Sequence, residues 1–214
     1  MLREILSRYL WIFRINLWLS HGVNMLIALL FLVLAPAIFS INNLDYSESA
    51  RLVEQYVSVI GIFLLTAIFK PESDHAIREV VESKYTWQIG IYLTRIGMAI
   101  TTIILFITGF VFCLKANNSM VLLWDYIFAT FCTTLFLGSM GFIVYGISDQ
   151  LILGYMAPVG YIMLNLYTGN RYVKIFYLYS LMKGSMDEKY WLLIGAILMV
   201  LVTLIYKWLQ AKRR

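Results

Sequence analysis

Long stretches without charged side chains constrain this chain more than any other feature of its sequence. From Ile15 to Leu44 there is no Asp, Glu, Lys or Arg, and similar apolar runs recur as far as Tyr206. A helix needs about 20 largely apolar residues to cross a bilayer. The 214 residues have room for six such spans and little else, so we predict an all-α integral membrane protein with a single transmembrane domain. The spans are expected at Leu17–Phe39, Leu52–Phe69, Trp87–Leu114, Tyr126–Ile147, Leu151–Leu166 and Trp191–Tyr206.

The composition agrees with a membrane protein. Hydrophobic residues make up 61% of the chain and charged residues only 14%, whereas water-soluble domains carry roughly 25% charged residues. The formal net charge is +5, but the basic residues flank apolar runs and form no patch. We therefore expect contact with membrane lipid and no binding of nucleic acid.

The first fourteen residues, Met1 to Arg14, alternate charged and bulky apolar side chains. Three arginines interrupt a series of leucine, isoleucine and aromatic residues. This pattern is typical of an amphipathic helix that lies in the plane of the membrane interface.

One charged segment, Pro71–Lys84, separates the second and third predicted spans, and its desolvation in a bilayer would be costly. Proline is tolerated in the first turn of a helix, and acidic residues are favoured there. Ile77, Val80 and Val81 recur at helical spacing, so the segment is predicted to form a short amphipathic helix. Two interpretations stay open: a helix resting on lipid head groups, or a docking element for a cytosolic partner.

The distribution of basic residues predicts the orientation. With both termini in the cytoplasm, the inner segments hold eleven of the seventeen Lys and Arg residues and the outer segments hold six. Positive charge is enriched in cytoplasmic segments of membrane proteins. We therefore expect the charged segment and both termini on the cytoplasmic side of a multi-pass protein in a bacterial cell membrane.

Polar residues close to the spans have structural interpretations. Arg95 is expected either to reach towards water at the inner end of the third span or to pair with an acidic residue of the charged segment. His21 is expected to satisfy a hydrogen-bonding group of a neighbouring helix. Glu54 is placed at the outer boundary of the second span rather than in hydrocarbon, which leaves no buried carboxylate as a proton relay.

Small residues are expected to shape the fourth and fifth spans. Gly138, Ser139 and Gly141 allow another helix to approach closely. Pro158 and its glycine neighbours are able to bend or break the fifth span.

A tyrosine-rich stretch, Tyr167–Tyr190, precedes the last predicted span. Only Val173 to Met182 is apolar, which is too short to cross a membrane. A re-entrant or interfacial segment at about Arg171–Lys183 fits this length, and an ordinary aromatic surface loop has equal weight.

Sequence signatures of catalysis are missing. There is no phosphate-binding loop, and only two histidines are present, so we predict no catalytic, cofactor-binding or metal-binding residue in this chain. A membrane protein with a cytosolic docking helix and no nucleotide-binding site of its own is best explained as the membrane subunit of a complex whose ATPase is another chain.

The region Phe69–Arg95 carries the most specific resemblance to a known family. An acidic residue follows the second span, a short helix comes next, and Tyr92-Leu93-Thr94-Arg95 leads into the third span. Together with the amphipathic N-terminus and the segment before the last span, this pattern resembles a permease subunit of the type-2 ATP-binding-cassette (ABC) exporters.

The resemblance implies specific roles and partners. The charged segment would be a coupling helix seated in a nucleotide-binding subunit, two permease copies would pair as a homodimer or heterodimer, and Mg-ATP would bind only to the partner ATPase. Arg95 would be a charge anchor. The coupling residues would be Glu72, Asp74, His75, Ile77, Arg78, Glu79, Val80, Val81 and Glu82. The outer gate would include Tyr172, Phe176, Tyr177 and Tyr179.

The expected function is therefore ATP-driven export of an amphipathic or hydrophobic substrate, such as a peptide, a lipid-linked compound or a drug. Two alternatives remain. One is a membrane-embedded assembly factor or enzyme without an ATPase partner, which requires polar residues that converge inside the membrane. The other is a haem-export or cytochrome-assembly permease.

Overall fold

A computed structural model describes residues 21–72 and 88–213, which form helices and connecting turns without a strand. The predicted helix at residues 1–14 lies outside these residues, as does the charged segment after Glu72. The α-helices in the described ranges are α1 Gly22–Ile38, α2 Tyr46–Gln55, α3 Ile60–Thr66, α4 Gln88–Ala116, α5 Leu123–Ser148, α6 Leu151–Thr168, α7 Asn170–Val173 and α8 Asp187–Arg213. Short 3-10 helices occupy Val57–Val59, Ala67–Glu72, Lys174–Phe176 and Leu181–Lys183.

Within residues 21–72 and 88–213, five helical runs are long and apolar enough to cross a membrane. They are Tyr46–Pro71, Gly90–Ala116, Leu123–Ser148, Leu151–Thr168 and Asp187–Gln210. The first predicted span is represented by α1, whose described part has only 17 residues. The run Tyr46–Pro71, which we call span 2, joins α2, α3 and two 3-10 helices.

The bundle has two ends, which we name after residues of span 2. The Glu54 end contains the α4–α5 turn and the connection from α6 to α8. The Phe69 end contains the start of α4, the α5–α6 turn and the C-terminal part of α8. The sequence predicts that the Phe69 end faces the cytoplasm.

Three of the described helices begin earlier than the sequence suggested, among them α5, which begins at Leu123 instead of Tyr126. The sequence places the start of the second span at Leu52, but α2 begins at Tyr46. Glu48 lies in its first turn, where a negative charge is favourable, and Ala50, Leu52 and Val53 are buried. The last helix likewise extends beyond Trp191–Tyr206, because its acidic first turn and its basic end continue the helix past the apolar core.

Helix α5 lies at the centre of the bundle and packs against span 2, α4, α6 and α8. Its small residues permit close contact with span 2, as predicted. A Cβ atom on Gly138 would lie 2.6 Å from the Gly61 carbonyl oxygen, and one on Gly141 would lie 2.1 Å from the Thr66 hydroxyl oxygen. The backbones of α5 and span 2 are therefore nearly in contact.

Helix α6 continues without a break from Leu151 to Thr168, although Pro158 lies inside it. Gly154 serves packing instead, because a Cβ atom there would lie 2.8 Å from the Tyr145 Cβ atom of α5. The prediction for His21 is confirmed, since its Nε2 atom lies 2.9 Å from the Thr102 hydroxyl oxygen of α4.

Candidate functional site

The Glu54 end contains a buried ion pair between span 2 and the last helix. The Lys189 ammonium contacts the Glu54 carboxylate, and both side chains are completely buried. Lys189 also donates a hydrogen bond of 2.8 Å to the Thr133 hydroxyl oxygen of α5. The pair thus connects three helices through charge-assisted bonds in a region from which water is excluded.

The same pair holds the connection before α8 inside the bundle. The Leu181 amide donates a hydrogen bond of 3.1 Å to Glu54 Oε1, and Lys189 Nζ donates one of 2.5 Å to the Leu178 carbonyl oxygen. The Leu178 amide donates a bond of 3.1 Å to Asn165 Oδ1 of α6. Side chains therefore satisfy backbone groups that lie outside the α-helices but are buried among them, as such a backbone requires. We call residues 177–183 the inserted loop.

Two buried polar atoms at this cluster have no hydrogen-bond partner among the described residues. They are Glu54 Oε2 and the Ser180 hydroxyl oxygen. Buried carboxylate oxygens are normally satisfied, and an incompletely satisfied one indicates a functional role or a missing partner. The cluster thus retains capacity for one more hydrogen-bond donor.

The predicted outer-gate residues differ in how far they are buried. Tyr172 is 78% exposed and Phe176 is 39% exposed, whereas Tyr177 and Tyr179 are buried in the inserted loop. Burial raises the pKa of Tyr179, and the nearby Glu54 carboxylate raises it further. Burial and the same carboxylate also raise the pKa of Tyr177.

The segment at Arg171–Lys183 contains most of α7 and the two short 3-10 helices Lys174–Phe176 and Leu181–Lys183, and its second half enters the bundle. The re-entrant or interfacial position of this segment in the membrane stays a prediction. The expectation that no carboxylate is buried was wrong, since the Glu54 side chain is fully buried in the bundle. The sequence places Glu54 and Lys189 at the same end of two different spans, which was the available signal for an ion pair. Only the fold shows that the two side chains meet.

The Phe69 end is held by aromatic contacts. The Phe69 ring stacks on Phe142 of α5 at a centroid distance of 4.6 Å. It also meets Tyr92 of α4 at 5.1 Å and Tyr145 of α5 at 6.0 Å. The Lys207 ammonium of α8 lies 5.4 Å from the Phe69 centroid. One side chain of span 2 thus contacts three other helices.

Two polar contacts accompany this aromatic cluster. Arg95 is buried and donates a hydrogen bond of 3.0 Å from Nη1 to the Ile68 carbonyl oxygen, so it anchors α4 to the end of span 2. Lys207 forms an ion pair of 2.7 Å with Asp149, which is 48% exposed. Whether Arg95 also pairs with an acid of the charged segment concerns residues outside the described ranges.

The predicted coupling residues after Glu72 lie outside the described residues, and the Glu72 side chain is not described either. Within residues 21–72 and 88–213, no group of three or more His, Cys, Asp and Glu residues could hold a metal ion. Comparison with protein family models, curated proteins and solved structures gave no match.

Proposed function

We propose that this chain is the permease subunit of an ATP-driven exporter, in which a separate ATPase chain acts on the charged segment. The substrate class is an amphipathic or hydrophobic molecule. The proposal rests on the sequence pattern around Phe69–Arg95 and on one structural observation, the position of span 2.

Span 2 links the charged segment at the Phe69 end of the bundle with the inserted loop at the Glu54 end. In the apolar 18-residue stretch of span 2, 78% of the residues are buried. In the corresponding stretches of α6 and of the last span, 17% are buried. At one end it leads into the charged segment, and at the other end Glu54 holds the inserted loop. A force on the charged segment would therefore be transmitted to span 2, whose far end holds the buried inserted loop.

A change of helix type within span 2 allows such a movement. Between α2 and α3 the chain forms a 3-10 helix at Val57–Val59, and Ser58 donates a side-chain hydrogen bond of 2.5 Å to the Glu54 carbonyl oxygen. Short 3-10 stretches inside helices often mark hinges. The hinge separates the part that carries Glu54 from the part that carries Phe69.

The proposal is tested by purification of the tagged chain from its native membranes, with ATP hydrolysis measured in the eluate. We expect ATPase activity to co-purify with the wild-type chain and to be lost with Glu79→Arg combined with Val80→Asp. This double variant reverses one charge and interrupts the apolar face of the predicted coupling helix.

The matched control is Glu48→Arg, which makes the same charge reversal on the exposed surface of α2 at the opposite end. It should retain the co-purified ATPase. If no ATPase co-purifies with the wild-type chain, or if the double variant keeps it in full, the coupling assignment fails.

The buried ion pair favours a second candidate function. Glu54, Lys189 and Thr133 converge inside the bundle, as a membrane-embedded protein without an ATPase partner requires. Under this alternative, Glu54→Gln abolishes function in cells, whereas Glu79→Arg with Val80→Asp leaves it unchanged. An exporter driven through the charged segment requires the double variant to lose function.

A further inference from the structure

An open cavity lies where the connection before the last span meets α8. Its volume is about 340 Å³, and it is lined by Lys174, Ile175, Asp187, Glu188 and Trp191. The cavity stands at the beginning of a helix long and apolar enough to cross the membrane, so it is at the level where lipid head groups lie. Tryptophan is enriched at this level because its ring is apolar and its N–H is polar.

The cavity contains opposite charges that do not pair with each other. The Lys174 ammonium and the Asp187 carboxylate make no hydrogen bond or ion pair with any described residue, whereas the Glu188 carboxylate is bonded to the Ser185 hydroxyl group. The Trp191 side chain is 51% exposed. An ammonium and a carboxylate that have no partner among the described residues, together with an accessible indole, therefore face one cavity.

The backbone at Lys174 is unusual. Its φ is 40° and its ψ is −99°, which is a conformation that residues other than glycine rarely adopt. Such a conformation persists only where surrounding structure imposes it, and it is found preferentially at binding sites. Here the unusual backbone belongs to Lys174, whose side chain is basic and lines the cavity.

An apolar surface continues from the cavity along α8. Trp191, Ile194 and Leu198 are each about half exposed and recur at intervals of three and four residues, so they share one face of the helix. A molecule with its polar group in the cavity would lay its hydrocarbon part along this face.

We propose that this cavity binds the head group of an amine-bearing zwitterionic phospholipid, with its acyl chains along α8. Lys174 donates to the phosphate, Asp187 accepts from the primary ammonium group, and Trp191 packs over the head group. The free opposite charges select a ligand that carries both charges. The site is independent of whether the chain is an exporter.

Native mass spectrometry of the purified full chain, titrated with phospholipids of matched acyl chains, tests the site. We expect phosphatidylethanolamine to bind more tightly than phosphatidylcholine, whose quaternary ammonium cannot donate a hydrogen bond, and more tightly than phosphatidylglycerol, which has no amine. Lys174→Gln should weaken binding of phosphatidylethanolamine about tenfold, since a charge-assisted bond is lost. Asp187→Asn should abolish the preference over phosphatidylglycerol, and Lys174→Arg should retain binding.

The controls are Lys115→Gln and Asp45→Asn, which alter exposed charges elsewhere at the Glu54 end. They should bind like the wild-type chain. Equal binding of phosphatidylethanolamine by the wild type, Lys174→Gln and Asp187→Asn would overturn the site, as would an equal loss in the controls. Displacement by millimolar glycerophosphoethanolamine, which lacks acyl chains, would overturn the assignment to a lipid.

Discussion

The two ends of the bundle are held together by different chemistry. At the Glu54 end an ion pair with no exposed surface ties span 2 to α8 and to the inserted loop. At the Phe69 end the ion pair is partly exposed, with 48% of the Asp149 side chain accessible, and an aromatic ring makes the central contacts.

This difference indicates how each end responds to change. A buried ion pair tolerates little displacement, because separation of the charges in a low dielectric is costly. Stacked rings keep most of their contact when they slide or tilt, since their attraction has several favourable geometries. We therefore expect the Glu54 end to switch between discrete arrangements and the Phe69 end to adjust gradually.

The largest effect is expected from Lys189→Met, which leaves the Glu54 carboxylate buried without its cation. The free energy of unfolding should fall by about 3–5 kcal/mol, as observed when one partner of a buried pair is removed. Lys189→Met combined with Glu54→Leu should lose less than the single variant, because no uncompensated charge remains. Both values can be measured by reversible unfolding in mixed detergent and SDS. If the double variant is the less stable one, the pair itself is the main source of stability.

Phe69→Ala is expected to have the next largest effect, at the opposite end. It removes a ring that contacts three helices and leaves a cavity, so the free energy of unfolding should fall by about 3 kcal/mol. Phe69→Leu should lose roughly half as much, because it keeps most of the apolar volume. A loss below about 1 kcal/mol for Phe69→Ala would show that the aromatic cluster does not hold this end.

Gly61→Ala tests the packing between the two ends. The added Cβ atom would lie 2.1 Å from the Thr134 carbonyl oxygen, so α5 and span 2 must move apart at a cost of about 1–3 kcal/mol. Gly97→Ala on α4 is the matched control, because a Cβ atom there meets nothing within 4 Å. The melting temperature should fall for the first variant and should stay the same or rise for the second. Equal changes would contradict the close contact.

The smallest effect is expected from Lys207→Ala. It breaks the partly exposed pair with Asp149 and the contact with the Phe69 ring, and pairs of this kind contribute at most about 1 kcal/mol. Added salt should reduce the difference between wild type and variant, whereas Lys189→Met should be insensitive to salt. A loss as large as that of Lys189→Met would remove the contrast between the ends.

The sequence was sufficient for the helical class and for most of the long apolar helices, because hydropathy alone dictates them. The sequence was also sufficient to predict that the small residues of α5 allow another helix to approach closely. It did not indicate the helical start of span 2, since Tyr46–Gln55 has a polar composition and its apolar face becomes evident only against α5.

The candidate site was less predictable. Glu54 and Lys189 are separated by more than a hundred residues, and a charge at the end of a span is ordinarily in contact with water. Only the packing of span 2 against α5 and α8 brings the two charges together and excludes water. The tyrosines of the segment at Arg171–Lys183 could not be divided into buried and exposed groups for the same reason.

Coupling to a cytosolic ATPase requires that the charged segment faces the cytoplasmic side of the membrane. Ser83→Cys and Met120→Cys can be labelled with a membrane-impermeant maleimide in intact cells, in a Cys113→Ser background. Met120 is 68% exposed in the α4–α5 turn at the Glu54 end. We predict that Cys at 120 is labelled from outside and that Cys at 83 is labelled only after permeabilisation. Labelling at 83 in intact cells would contradict the account, because no cytosolic ATPase could then act on the charged segment.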